Sequence, residues 1–306
     1  MPSKPPPLRR TVSVPPVDLR RTLRAIRRSV HDPTTRLAGD GFWRATHTAE
    51  GPATLHLATD QPGPVTEVVA EAWGPGAEAA LARVPGMVGA GDRPEAFVAL
   101  HAAVAEVVRR SPGRRLPATG TLVEILVPTV LEQKVTGLEA WEAFRALCWK
   151  HGSEAPGPAR LRLPPTPERL ATMGYADFHP LGVERRRAEV ILRVCRRADR
   201  FEALVAQSPV AARRALEQVP GIGPWTSSSA TLLAFGDPDA VVLGDFHLPH
   251  MVTNALTGRR RGSDAEMLEL LAPYTGQRAR AQGILASLGA RSRRAPRLPP
   301  RRFARQ

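Results

Sequence analysis

Val219-Pro220-Gly221-Ile222-Gly223-Pro224-Trp225-Thr226 lies between two apolar-periodic stretches and decides how this 306-residue chain is read. Upstream, Ser208-Pro209 is a helix start, an N-cap oxygen followed by a proline where no N–H is needed, and it opens Val210–Gln218 with Leu216 and Val219 facing inward. Pro220-Gly221 stops that helix. Pro224 begins a second one, Trp225–Phe235, again at a position whose N–H would have no partner. The predicted unit is helix, glycine-flanked hairpin, helix. Its two glycines permit close backbone approach, and the amides of Gly221, Gly223 and Trp225 fall at the positive end of a helix dipole, which suits an anion such as a phosphate. The same tetrapeptide also reads as a plain helix–helix turn with Ile222 tucked into the core. After the second helix, Asp237-Pro238-Asp239 is a turn, and Ala240-Val241-Val242-Leu243-Gly244 leads to one carboxylate, Asp245, 24 residues after Gly221.

Working outward, residues 118–290 read as helices and short loops. Thr121–Val135 starts at a cap on Thr121 and contains Pro128, which should kink or split it. Glu139–Trp149 is a further helix before a Pro/Gly-rich loop at 152–166, and Thr166-Pro167 starts the next. Glu184–Leu204 carries seven arginines, a pattern of a solvated face or of phosphate contacts. Toward the N-terminus the period changes to two. Phe42–Thr46, Thr54–Thr59 and Val65–Trp73 predict a small antiparallel sheet with Leu55 and Leu57 on one face, the turns lying at His47–Pro52 and Gln61–Pro64. Ala77–Val84, ending at Pro85-Gly86, and Ala96–Arg109 read as helices, and Ser111-Pro112-Gly113 marks a domain boundary. The expected fold class is α+β: a basic tail (1–29), an N-terminal α/β domain (30–111), an all-helical body (112–290) and a second basic tail (291–306).

The net charge of +14 is unevenly placed. Residues 1–28 carry +7 and residues 278–306 carry +9, which leaves −2 for residues 29–277. Arg/Pro-rich ends of this kind do not bury a core, whereas the middle does. No run of about 18 apolar residues indicates a membrane span, and the prolines at 5–7, 15 and 16 oppose a helical transit peptide. Cys148 and Cys195 are too few for a disulfide framework, a cysteine-rich zinc site or a four-cysteine iron–sulfur cluster, so a reduced cytoplasmic compartment is expected.

The stretch Val219–Thr226, continuing to Leu243-Gly244-Asp245, resembles the helix-hairpin-helix (HhH-GPD) DNA glycosylases, most closely the 3-methyladenine DNA glycosylase II, or AlkA-like, branch. Leu131-Glu132-Gln133-Lys134-Val135-Thr136 is similar to the family's Leu-x-Gln-x-Val-Ser helix, and Leu181-Gly182 with Arg185 and Ala188 to another of its stretches. The likeness spans roughly residues 30–290. It implies base release from damaged double-stranded DNA after the base is flipped from the stack, with Asp245 stabilising the oxocarbenium-like sugar. Alkylated purines of the 3-methyladenine and 7-methylguanine type are the substrates it implies. Where lyases of the superfamily place a Schiff-base lysine, two residues after the second hairpin glycine, this chain has Trp225, so a monofunctional enzyme is expected.

Gly221, Ile222, Gly223, Trp225, Thr226 and Lys134 are the DNA-binding candidates under this resemblance, and Gln133, Trp225, Ser229, Tyr274 and Gln277 line the expected base pocket. Trp225 stacks on the flipped purine or packs the hairpin. Gln133 lies at the pocket edge or on an ordinary helix surface. Ser229 and Gln277 stand where the branch carries aromatic residues, with Tyr274 the candidate to compensate, and Lys134 replaces an apolar wedge and is left to contact phosphate or the orphaned base. His247 and His250 cap or line a DNA-facing groove; no transition metal is expected with Asp245. No cofactor is required, although hairpin carbonyls in this family can hold a monovalent cation. The expected protein is a monomer of the bacterial cytoplasm. The other reading is a non-catalytic DNA-binding or lesion-sensing protein that keeps the hairpin without turnover.

Overall fold

The computed structural model describes residues 6–59 and 65–289. A five-stranded, wholly antiparallel sheet occupies the N-terminal part, with strands β1 (Leu8–Val14), β2 (Thr35–Ala38), β3 (Gly41–Thr48), β4 (Gly51–Thr59) and β5 (Thr66–Trp73) in the spatial order β1-β5-β4-β3-β2. Arg44 pairs with Leu55 and Phe42 with Leu57, which puts Leu55 and Leu57 on one face as their alternation requires. The β3–β4 ladder extends to Thr48 opposite Gly51, so the turn is tighter than expected. Gln61–Pro64 and the 291–306 segment lie outside the described residues.

The first 29 residues are not a tail throughout. β1 pairs with β5 from Leu8 opposite Ala72 to Val14 opposite Thr66. Arg9 and Arg10 are exposed on this edge strand, where charge discourages further strand addition. Helix α1 (Leu19–Leu23), capped by the Asp18 carboxylate on the Arg21 amide, then buries Leu19 and Leu23, with Ile26 just beyond. Helices α2 (Ala77–Ala82) and α3 (Val84–Met87) cover the same sheet face, and α3 runs through Pro85-Gly86 because proline fits the first turn of a helix. The opposite face packs Trp43 and Trp73 on Ala155, Leu161 and Leu163 of the loop at 152–166. Gly157 is needed there: its φ is +84° and a Cβ would lie 2.8 Å from the Trp73 ring.

Helix α4 is shorter than its apolar pattern suggested, Ala102–Arg109, because Pro94–Ala96 forms a separate 3-10 turn and Phe97 is extended. It packs on the C-terminal helices α13 (Leu248–Thr257), α14 (Asp264–Leu271) and α15 (Arg278–Leu288), with Val104 beside Val252, Met267 and Tyr274. Its packing therefore crosses the boundary expected at 111–113. Part of the basic C-terminal segment is structured as well: on α15, Arg278 pairs with Asp239 and Arg280 with Asp92.

The central helices are α5 (Val123–Leu131), α6 (Gly137–His151), α7 (Pro167–Ala171), α8 (Tyr175–Phe178), α9 (Arg185–Cys195), α10 (Ala198–Glu202), α11 (Pro209–Glu217) and α12 (Pro224–Phe235). Buried at every position but Glu124, α5 is their axis. It stays one helix across Pro128 and ends at Leu131. Thr121 does not cap it; the Glu202 carboxylate does, accepting from the Leu122 and Val123 amides at 2.9 and 2.7 Å. Burial pushes the Glu202 carboxyl above its ordinary range against the pull of those two bonds. The arginine-rich helix expected at 184–204 breaks at Arg196-Arg197 into α9 and α10, and its Arg187 is buried, donating to the Leu131 and Gly182 carbonyls. Sheet and helices join where Arg44, on β3, meets Glu124, on α5, at 2.6 Å, the carboxylate also accepting from Thr46 and the His47 amide. No helix among the described residues is long and apolar enough to cross a membrane.

Candidate functional site

The hairpin forms as its residues dictate. Ser208 accepts from the Ala211 amide to cap α11, Pro209 follows at N1, and Ile222 donates back to the Val219 carbonyl. Gly221 has φ +99°, and a Cβ on it would lie 2.4 Å from Val190 Cγ2, so both conformation and packing demand glycine. Gly223 differs. Its φ of −111° is open to any residue, and a Cβ there would meet nothing within 4 Å. Neither backbone conformation nor packing explains a glycine at 223. Among the described residues, the amides of Gly221, Gly223 and Trp225 have no hydrogen-bond acceptor.

The carboxylate expected at the end of 240–245 stands beside this hairpin. Asp245 Oδ2 accepts from the Trp225 indole N–H at 3.1 Å, and Oδ1 accepts from the His247 and Leu248 amides at 2.7 and 2.9 Å. Gly244, at φ +77°, donates to Asp264 and sets the direction of the turn. Asp245 is half-buried and, among the described residues, has no cation in ion-pair range. Three neutral donors therefore fix the direction of a carboxylate that has no cationic partner among the described residues, an arrangement that can attract positive charge.

Trp225 and Asp245 are thus brought together, with the indole acting as an orienting donor. Gln133 is a clamp: its amide donates to the Gly221 carbonyl at 3.0 Å and to Thr226 Oγ1 at 2.8 Å, tying the α5–α6 loop to the hairpin. Lys134, next along that loop, is exposed and held at φ +56°. Two DNA-binding candidates have side chains turned inward. Ile222 is buried in the main core, and the buried Thr226 hydroxyl is occupied by Gln133. Ser229 is half-buried one turn after Trp225.

The remaining pocket candidates serve the fold. Tyr274 is buried in the C-terminal cluster, stacked on Phe97 with ring centroids 5.5 Å apart and bonded through its hydroxyl to His101 at 2.6 Å. Gln277 stands at the N-cap position of α15 without capping it through its side chain, whose oxygen accepts from Arg280 Nε instead. Sequence reasoning passed over Phe246, an exposed aromatic ring directly after Asp245 with the His247 and His250 rings edge-on around it. Its place beside the carboxylate was the available signal.

No protein-family model and no curated protein matches this sequence. Solved structures do match. A 3-methyladenine DNA glycosylase from Archaeoglobus fulgidus superposes with a TM-score of 0.74 at 16% identity, over 90% of this chain and 97% of that one. The apo 8-oxoguanine glycosylase/lyase of Clostridium acetobutylicum gives 0.68 at 13% identity, over 94% and 99%. The MBOgg1 protein, solved with a low-affinity DNA ligand, gives 0.69 at 14%, over 91% and 95%. Likeness at such identities is a likeness of fold, and it extends over both the sheet and the helical body: the chain has the fold of the helix-hairpin-helix DNA glycosylases.

Proposed function

We propose that this protein is a monofunctional DNA glycosylase that releases alkylated purines from double-stranded DNA. The observation that carries the reading is Asp245, a carboxylate aimed by Trp225 and two amides, without a cationic partner among the described residues and beside a hairpin whose Gly221, Gly223 and Trp225 N–H groups have no acceptor among them. The glycosylase fold of the solved structures supports it. In this reading the hairpin amides and the open space at Gly223 receive a phosphate, and the damaged nucleotide leaves the stack to reach the carboxylate. Alkylation on a ring nitrogen makes the purine cationic. The C1′–N bond then breaks with its electron pair going to the base, so the base departs neutral and the sugar becomes oxocarbenium-like. Asp245 stabilises that cation, and water adds at C1′ and passes its proton to the carboxylate or solvent.

A lysine at position 225 is what lyase chemistry of this superfamily would use, and tryptophan has no amine to offer. The strand is expected to remain intact after base release. Incubation of methylated duplex DNA with wild type should liberate free 3-methyladenine or 7-methylguanine, with nicks only after alkali and no borohydride-trapped adduct. Asp245→Asn should lose release by at least about a hundredfold while still binding the duplex. Equal activity of that variant overturns the assignment of Asp245. A borohydride adduct that disappears in Lys134→Ala overturns the monofunctional reading. DNA binding by wild type with no base released from any alkylated duplex makes the protein a lesion sensor instead.

A further inference from the structure

Away from the hairpin, the outer face of α6 presents Leu138, Trp141, Arg145 and Trp149, spaced three, four and four residues apart and hence on one side of the helix. All four are exposed, Trp141 by 39% and Trp149 by 57%. Two of the chain's five tryptophans stand in solvent on one stripe. The Trp141 ring lies back over the first turn, close enough that a Cβ on Gly137 would be 3.0 Å from it. At the far end the Arg162 guanidinium stacks 5.0 Å from the Trp149 ring centre and is anchored to the Gly152 carbonyl at 2.8 Å. With one face covered and the ring mostly exposed, the other face is available.

The stripe ends in an open cleft of about 310 Å³ between α6 and the sheet, lined by Trp149 and by Arg27, Arg36, Arg145, Arg160 and Arg162. Asp32 is the acid in this lining, and its carboxylate is already occupied by the Arg28 and Thr34 amides and the Thr34 hydroxyl. Arg145 and Arg160 have no hydrogen-bond or ion-pair partner among the described residues, and the Nε–H groups of Arg27 and Arg162 are buried without an acceptor. Arg160 is held at φ +53°, an unusual conformation for arginine in a loop at a cleft mouth. Unsatisfied guanidinium groups interleaved with exposed indoles match a ligand that alternates phosphates with flat rings.

We propose that the α6 face and this arginine cleft bind single-stranded nucleic acid, as a track separate from the hairpin. The bases must be unpaired, because a duplex hides the ring faces that Trp141 and Trp149 would stack on. Trp141 to Trp149 spans about 12 Å of helix, enough for about three stacked nucleotides. The track starts at the α5–α6 loop that Gln133 ties to the hairpin. It does not depend on Asp245 or on glycosylase activity.

The test is titration of the full-length protein with a fluorescent twelve-residue oligothymidylate at low salt, followed also by quenching of tryptophan emission. Wild type should bind with quenching. Trp149→Ala should bind about tenfold more weakly and quench less, and Trp149→Phe should recover most of the affinity. Arg145→Ser with Arg160→Asn, asparagine being tolerant of a positive φ, should lower the salt slope by about 1.4. Affinity for an abasic-site duplex should change less than twofold in all of these variants, and Asp245→Asn should bind the oligothymidylate as wild type does. The proposal is overturned if Trp149→Ala binds the single strand within twofold of wild type, or if duplex affinity falls in parallel. A charge-only surface would give the first outcome and a general loss of folding the second.

Discussion

Two carboxylates separate the candidate site from the scaffold that carries it. At the seam between sheet and helices, Glu124 is met by the Arg44 guanidinium, the Thr46 hydroxyl and the His47 amide. Similar pairings, Arg28–Glu132, Arg213–Asp237, Arg278–Asp239 and Arg280–Asp92, hold the rest of the frame. Asp245 is held as firmly, but among the described residues only by neutral donors. A pair closed on itself stabilises one arrangement and has little left for a ligand, whereas a fixed carboxylate without a counter-ion keeps its attraction for a cation, and the catalytic role proposed for Asp245 rests on that difference. Direction without neutralisation is the signature of the site.

Removing charge from each region should break the comparison in opposite ways. Glu124→Gln leaves the 3%-exposed Arg44 side chain without its anion and should cost about 3 kcal/mol in urea unfolding. Asp245→Asn keeps an oxygen able to accept from the His247 and Leu248 amides, loses the acceptor of the half-buried Trp225 indole N–H, and should cost about 1 kcal/mol. If Asp245→Asn proved as damaging as Glu124→Gln, Asp245 would be a structural cap.

The two hairpin glycines sharpen the same distinction at a smaller scale. Gly221→Ala forces a side chain into Val190 at a positive φ and should lose about 2 kcal/mol. Gly223→Ala meets no protein atom, so its thermal midpoint should equal that of wild type while affinity for an abasic duplex falls several-fold. Unchanged duplex binding by Gly223→Ala would mean that no backbone approaches there, and the reading of the hairpin as a phosphate site would fail.

What was legible in the sequence follows from the range of the causes. The hairpin, its two proline-started helices and the Leu55/Leu57 face arise from neighbouring residues, and they were read correctly. The cap on α5 was missed because its donor groups are satisfied by Glu202, about 80 residues later. β1 was hidden because an edge strand tolerates arginine on its exposed side, so composition imitated a tail. Within the site, the hairpin and the apolar approach to Asp245 were legible, but the contact of Asp245 with Trp225, the inward turn of Ile222 and Thr226 and the commitment of Tyr274 to His101 depend on packing that no local pattern records.

Acid titration is the mildest way to probe the contrast. Burial pushes the Glu124 carboxyl up, but the Arg44 charge and hydrogen bonds outweigh it and hold the group below its usual range. Asp239 is lowered likewise: burial is overcome by bonds from Arg278 and the Gly276 amide. A carboxyl depressed in the folded state contributes stability that is complete above its unfolded value, about pH 4.3 for Glu and 3.9 for Asp, and that disappears as pH falls through the folded value. Glu202 has the opposite sign, because burial raises it and its charge weakens the fold above that raised value, a cost relieved as pH falls. Thermal midpoints measured between about pH 6 and 3 should therefore fall most steeply below about pH 4.3. Glu124→Gln should flatten that acid limb by removing a group that takes up a proton on unfolding. Glu202→Gln should leave the limb at least as steep, since it removes a term that runs the other way. An equally steep limb in Glu124→Gln would show that the seam pair does not set the acid response, and the contrast between a closed pair and an open charge would then rest on Asp245 alone.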